Sequence, residues 1–252
     1  MMINKTFFKR RAVKSTLIIA SAFTVFSLAA FGESTSSNNA ISKNNEGKTE
    51  TAKDTVESVF NARYVFEKLH TSALEILPGN TRLDMLDYWD VDSVYKASNA
   101  MEGLSWLETV TPDYLKVKIT SVSSLEIKIL PLKKDKIVMT IYTVGDEEQA
   151  QDSQVKFYDE SLTEVASNKF LVMPEVKDFF EIPRGSATKM KEIEDMIPFP
   201  TIAFAANPDN DNLEARLTVE QYINQDDWNI AKLFAKPKVT LEWQKGKYKY
   251  KK

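Results

Sequence analysis

His70 is the only histidine of the 252-residue chain, and cysteine is absent. Any Ser–His–Asp arrangement, His-assisted general base or imidazole metal cluster would have to use this one side chain. It follows Leu69 in an apolar-periodic stretch, and neither G-x-S-x-G nor H-E-x-x-H occurs in the chain. Such a histidine reads as structural or surface-lying. Without cysteine there are no disulfides, thiolate nucleophiles, cysteine zinc sites or iron–sulfur clusters. No cofactor is expected.

Carboxylates are the chemistry that remains. Asp84, Asp87, Asp90 and Asp92 form the densest group. Asp84 and Asp87, three apart, share a helix face, and Asp90 and Asp92 fall where that helix should end. Together they could hold Ca²⁺, a hard cation that wants several oxygens. No glycine supplies the sharp turn of a dedicated calcium loop, so a solvated helix face with capping is the simpler reading. Asp209, Asp211 and Glu220 take the first, third and twelfth places of an EF-hand loop, but Leu213 and Glu214 spoil its fifth and sixth. Pro208–Asn212 reads instead as turn chemistry. Glycoside hydrolysis needs only two acids at the right separation. Among 36 acidic residues some pair is always available, so sequence alone does not signal it.

Binding chemistry is visible at two places. Lys245, Lys247, Lys249 and Lys251 alternate with Gly246, Tyr248, Tyr250 and Lys252. On a strand they would form a cationic stripe behind an aromatic face, suited to lipopolysaccharide or an acidic glycan. The competing reading is a sheet edge kept from pairing with another chain. Trp89 and Trp228 fall near helix ends and are the tryptophans expected to be exposed as sugar platforms, whereas Trp106 and Trp243 sit in alternating patterns and are expected in the core. The binding candidates are therefore Trp89, Trp228, Lys247, Lys249 and Lys251, with Asp84, Asp87, Asp90 and Asp92 as weak metal candidates.

The elements that position these residues begin after a leader. Met1–Ser15 carries Lys5, Lys9, Arg10, Arg11 and Lys14 with no acid, Thr16–Phe31 is apolar, and Ala30-Phe31-Gly32 offers a small–x–small cleavage pattern. Residues 1–32 thus read as a secretory signal peptide, which sends the protein to the periplasm or exterior, and without cysteine it is not a lipoprotein. No transmembrane anchor is expected in the mature chain. Its removal leaves 28 basic against 36 acidic residues, a net −8, a poor balance for nucleic-acid binding. Glu33–Thr55, rich in Ser, Asn, Thr, Lys and Glu, reads as a disordered linker.

Val56, Val59, Phe60, Phe66, Leu69, Ala73 and Ile76 recur at three- and four-residue steps, so the spacing predicts a helix over Val56–Leu77, stopped by Pro78-Gly79. Asn80 is expected to cap a second helix that buries Leu83 and Leu86 and ends at Trp89. From Trp106 the period changes to two. Tyr114–Thr120, Leu125–Leu130, Ile137–Val144 and Gln154–Tyr158 read as antiparallel strands, with Glu126 and Lys128 on a wet face and Ile137–Val144 apolar on both. Helical signals return at Pro174–Phe180 and Ala187–Ile197. Strands follow at Thr201–Ala206 and Leu213–Tyr222, then an Asp-capped helix over Asp226–Ala235, then a hairpin of Val239–Gln244 and Lys247–Lys251. The expected fold is α+β: antiparallel sheet with helices on one face, as two tandem helix–helix–meander units over 56–172 and 173–252. That layout is similar to the tandem ααβ4 architecture of β-lactamase-inhibitor protein.

The block Asn80-Thr81-Arg82-Leu83-Asp84-Met85-Leu86-Asp87-Tyr88 resembles the "N-x-R-x-D-M-hydrophobic-D" segment of a family of exported Bacteroidetes-type proteins, a domain of unknown function. Thr111–Leu115, Ile129–Leu132, Val155–Tyr158, Leu241–Trp243 and Lys245–Tyr248 resemble it as well, over roughly Phe66 to Tyr250. The resemblance implies secretion and brings no catalytic set. The function expected is a non-catalytic binding module for an envelope protein or a glycan. The alternatives are a carboxylate-dependent hydrolase of polysaccharide and a calcium-stabilised structural protein.

Overall fold

The structure, a computed structural model, describes residues 60–91, 95–146, 150–183 and 185–251. The expected signal peptide and linker lie outside the described residues, as do Val56, Val59 and Asp92. Helix α1 (Ala62–Lys68) is followed by a 3-10 turn at Ser72–Leu74 and by α2 (Gly79–Trp89). Then come β1 (Ala97–Ser98), β2 (Leu104–Val110), β3 (Tyr114–Thr120), β4 (Ser123–Leu132), β5 (Asp135–Val144), β6 (Asp152–Tyr158) and β7 (Glu164–Val165). These seven pair antiparallel in chain order, a meander. After a 3-10 turn at Val176–Phe179 and α3 (Ala187–Met196), β8 (Ile202–Ala206) and β9 (Leu213–Leu217) form a hairpin. Helix α4 (Gln225–Ala231) intervenes before β10 (Val239–Gln244) and β11 (Lys247–Tyr250). The second sheet is antiparallel in the order β11-β10-β9-β8. The fold is α+β with antiparallel sheets, as the patterning predicts.

The first helix is shorter than its apolar periodicity suggests. Leu69 turns to extended backbone (φ −66°, ψ 131°), so the expected helix over 56–77 breaks into α1 and a separate 3-10 turn. Arg82 explains the stop. Its Nη1 donates to the carbonyls of Phe66 at 2.6 Å and Leu69 at 2.9 Å, which satisfies the end of α1 with a cation where the helix dipole favours one. Leu69, Leu74 and Leu77 are buried all the same, which is why the periodicity ran on past the helix. Helix α2 starts at Gly79, directly after Pro78, so Asn80 lies in its first turn and is not the cap. Its inner face carries Arg82, Met85 and Leu86, while Leu83 is exposed. In α4 the cap is Asn224, whose Oδ1 accepts the N–H groups of Asp226 and Asp227, and the helix ends at Ala231.

Both faces of the long sheet are covered. Leu115, Val117 and Ile119 of β3, with Leu125, Ile127 and Ile129 of β4, pack under α1 and α2. Ile137, Met139 and Ile141 of β5, with Val155 and Phe157 of β6, point the other way into a core shared with Phe204, Leu213 and Leu241 of the second sheet. Glu126 and Lys128 therefore do not meet water as their alternation predicts. They are 5% and 1% exposed, because the second sheet lies over that face of β4.

Strand β8 meets the long sheet edge-on. Among the described residues its one ladder partner is β9, and the N–H groups on its other edge are taken by side chains. Ile202 N–H donates to Asp152 Oδ1 at 3.2 Å, Phe204 N–H to Ser153 Oγ at 3.0 Å, and Ala206 N–H to Glu126 Oε2 at 2.8 Å. An edge that would otherwise bury unpaired donors is thus closed without another strand.

Candidate functional site

Two concave places lie beside this junction. The first is a groove of about 280 Å³ between the sheets, lined by Lys116, Glu126, Glu214, Arg216 and Lys238. Its charged side chains each have a partner at hand. Lys238 Nζ lies 2.6 Å from Glu214 Oε1, Lys116 Nζ 3.3 Å from Glu108 Oε2, and Arg216 Nη2 donates to Gln151 Oε1 at 2.8 Å. Glu126 Oε2 accepts from Ala206 N–H at 2.8 Å. Burial pushes its carboxyl above the usual range, and the Ala206 hydrogen bond, the Lys116 charge and the Tyr114 hydrogen bond offset only part of that. Held on these partners, Glu126 ties the sheets together and is not a free acid.

The second place is a hollow of about 450 Å³ where the start of α1 meets the β4–β5 hairpin, lined by Phe60, Asn61, Pro112, Pro131, Asp113 and Asp211. Lys136 fixes one wall, donating from Nζ to the Phe60 carbonyl at 3.1 Å and lying 5.8 Å from its ring centre. Beneath the hollow, Lys128 Nζ donates to Asp113 Oδ2 at 2.7 Å and to the Pro208 carbonyl at 3.4 Å. Thr111 Oγ1 donates to Asp113 Oδ1 at 3.0 Å. Burial would raise the Asp113 carboxyl, but the Lys128 and Thr111 hydrogen bonds outweigh it and hold it below its ordinary value. Asp211 is pushed the other way, by burial first and by the Asp113 charge, with Lys128 opposing. The two carboxyls of one hollow are thus driven apart, the arrangement by which an acid and a base come to differ.

The residues singled out from sequence are dispersed. His70 is exposed in the extended link after α1. Asp84 and Asp87 are exposed on α2, and Asp90 is gripped by both terminal nitrogens of Arg63. Among the described residues no three of His, Asp or Glu are grouped so as to hold a metal ion. Trp89 packs half-buried against the core under the helices, and Trp228 likewise against the core between the sheets. Trp106, expected inside, is half-buried with Lys96 Nζ 4.5 Å from its ring centre, and Trp243 is half-buried as well. Lys247 and Lys249 are exposed on β11 while Tyr248 faces the core. Lys251 is drawn toward Glu242 at 3.6 Å.

Asp113, Asp211, Glu126 and Lys128 were not marked as site residues by the sequence. One signal pointed to the last two: the run Ile137–Val144 is apolar on both faces, so its ladder neighbour β4 should be covered on both faces as well.

The family described as protein of unknown function (DUF3256) matches residues 56–248. The chain belongs to that family. The membership expected from the Asn80–Tyr88 block is borne out, and within that block Arg82 is the residue that closes α1. The structure of a domain of an uncharacterized protein from Porphyromonas gingivalis W83 is similar at 19% sequence identity, with a TM-score of 0.64 over 75% of this chain and 96% of that one. At that identity the likeness is one of fold. No curated protein matches the chain. Among the described residues no helix is long and apolar enough to cross a membrane.

Proposed function

We propose that this DUF3256 protein is a non-catalytic binding module that acts in the periplasm or outside the cell and holds a glycan or a protein through the hollow beside Phe60. One observation carries the reading: the hollow joins apolar walls, Phe60, Pro112 and Pro131, to a few convergent polar groups, Asn61, Asp113 and Asp211. A sugar ring offers an apolar C–H face to such walls and hydroxyl donors to such carboxylates. The charged leader, apolar run and small–x–small site of residues 1–32 support the location. A glycan array with the parent protein and Phe60→Ala tests the assignment. The reading expects retained glycans that the substitution releases, or a stoichiometric envelope partner that Phe60→Ala no longer binds. No glycan signal together with no such partner contradicts it.

A carboxylate-dependent hydrolase of polysaccharide is the second reading, and the opposed shifts of Asp113 and Asp211 in one hollow favour it. In that case Asp211 protonates the leaving oxygen and Asp113 takes a proton from the attacking water. Release of reducing ends that Asp211→Asn abolishes would establish it. Polysaccharides left intact by the parent protein exclude it.

A further inference from the structure

Two hairpin tips distant in the chain meet at one end of the fold. The β4–β5 hairpin turns through Lys133 and Lys134, between paired Leu132 and Asp135. The β10–β11 hairpin turns through Lys245 and Gly246, between paired Gln244 and Lys247. Trp243 Nε1 donates to the Pro131 carbonyl at 2.8 Å, across 112 residues of sequence. Gly246 sits so near Leu132 that a Cβ on it would come within 2.5 Å of Leu132 Cδ1. The tips are therefore packed side by side, and Lys133, Lys134, Lys245 and Lys247 project from them, all exposed.

These four lysines are set apart by where they gather, on two adjoining hairpin tips. Lys116, Lys128, Lys156, Lys189 and Lys238 each pair with a carboxylate, whereas among the described residues none of the four tip lysines enters an ion pair. With Asp135 the one acid in the β4–β5 tip itself, they leave a net positive charge at this end of a chain whose formal net charge is −3. Lys133 and Lys245 also hold left-handed backbone, φ 55° and 54°, at turn positions that favour glycine or asparagine. Lys133 and Lys134 line the same hollow as Phe60, Asp113 and Asp211.

We infer that this end of the molecule binds an acidic polysaccharide, a chain bearing carboxylate or sulfate groups, with a sugar ring in the hollow and the anionic groups on the tip lysines. The inference deepens the binding-module reading and rests on it. Charge complementarity selects the anionic ligand. A polysaccharide fits better than a bilayer surface. The hollow is concave, and none of the exposed large apolar side chains stands on either tip to insert into lipid.

The test is binding of the purified chain to an oligogalacturonate, a heparin-derived oligosaccharide and a neutral cello-oligosaccharide of equal length, at low and high salt. Both acidic probes should bind, with affinity falling as salt rises. Lys133→Glu/Lys134→Glu and Lys245→Glu/Lys247→Glu should each weaken binding about tenfold, as the loss of two exposed ion pairs implies. Lys118→Glu, at the other end of the β3–β4 ladder, should leave it unchanged. Since the tip lysines are exposed, unchanged circular dichroism and melting separate lost binding from lost folding. Equal binding of the neutral probe, tip variants that bind like the parent, or retention by phosphatidylglycerol vesicles but by no oligosaccharide would each overturn the inference. Neutral glycan bound through Phe60 would leave the binding-module reading standing. No binding to any probe or glycan would remove the inference together with the glycan form of that reading.

Discussion

Glu126 and Lys128, two residues apart on β4, reach from the same face and take hold of Ala206, the last residue of β8, and of Pro208 just beyond it. The carboxylate accepts a backbone N–H and the ammonium donates to a backbone carbonyl, so one strand clamps both kinds of main-chain group on the second sheet. Lys128 is turned at the same time toward Asp113 and the floor of the hollow. The contact that fastens the sheets thus also shapes the candidate site.

The Glu126 half of the clamp should reveal itself through pH. Its carboxyl is raised in the folded state, so the charged form costs stability. Its contribution is most favourable below the unfolded value and is lost as pH rises through the folded one. Lys116, Tyr114 and Glu108 are the ionisable groups that act on it. Glu126→Gln keeps an acceptor for Ala206 N–H and removes the charge. It should melt higher than the parent at pH 8, with the difference closing toward pH 4. Glu126→Ala leaves the buried Ala206 N–H without its acceptor and should cost about 1–3 kcal/mol in urea denaturation.

The Lys128 half carries the opposite sign. Asp113 is held below its ordinary value, so its contribution is present above the unfolded carboxylate value and lost as pH falls through the folded one. Asp113→Ala leaves the almost fully buried Lys128 ammonium with the Pro208 carbonyl at 3.4 Å and should cost about 1–2 kcal/mol at neutral pH, since Asp113 itself is half exposed. Lys128→Met removes the buried charge itself and should cost less. In the double variant, Lys128→Met should recover much of the Asp113→Ala loss. Additive losses would mean that the pair is not coupled.

Arg82 should govern the end of α1. Arg82→Ala leaves the carbonyls of Phe66 and Leu69 without their donor, at a cost of about 2 kcal/mol or more. Amide exchange within Ala62–Lys68 should accelerate more than that of β4 and β5. Arg82→Lys should restore part of the protection, since an ammonium can still reach a helix-end carbonyl.

The strands were legible because their signals are local. Tyr114–Thr120 and Val239–Gln244 appear with the limits that alternation predicts, and Ile137–Val144 is buried on both faces over most of its length. The wet or dry state of Glu126 and Lys128 was not legible, because it is decided by a strand about 80 residues later. The end of α1 was hidden for a similar reason. Leu69, Leu74 and Leu77 keep a helical rhythm, while the break comes from Arg82 on another element. At the candidate site, Lys245 reads with the strand stripe of Lys247, Lys249 and Lys251, but it stands in the turn before β11 with φ 54°. The Trp243–Pro131 and Gly246–Leu132 contacts bring it beside Lys133 and Lys134, and no spacing in the chain encodes that meeting.

Backbone chemical shifts of the isotope-labelled protein, followed while a hexagalacturonate is added, test the account most directly. Saturable shifts should gather on Phe60, Asn61, Asp113, Leu132–Asp135, Asp211 and Gln244–Lys247, and should fade with added salt. Shifts confined to the inter-sheet groove, at Lys116, Ala203–Ala205 and Arg216, or no shifts at all, would contradict it.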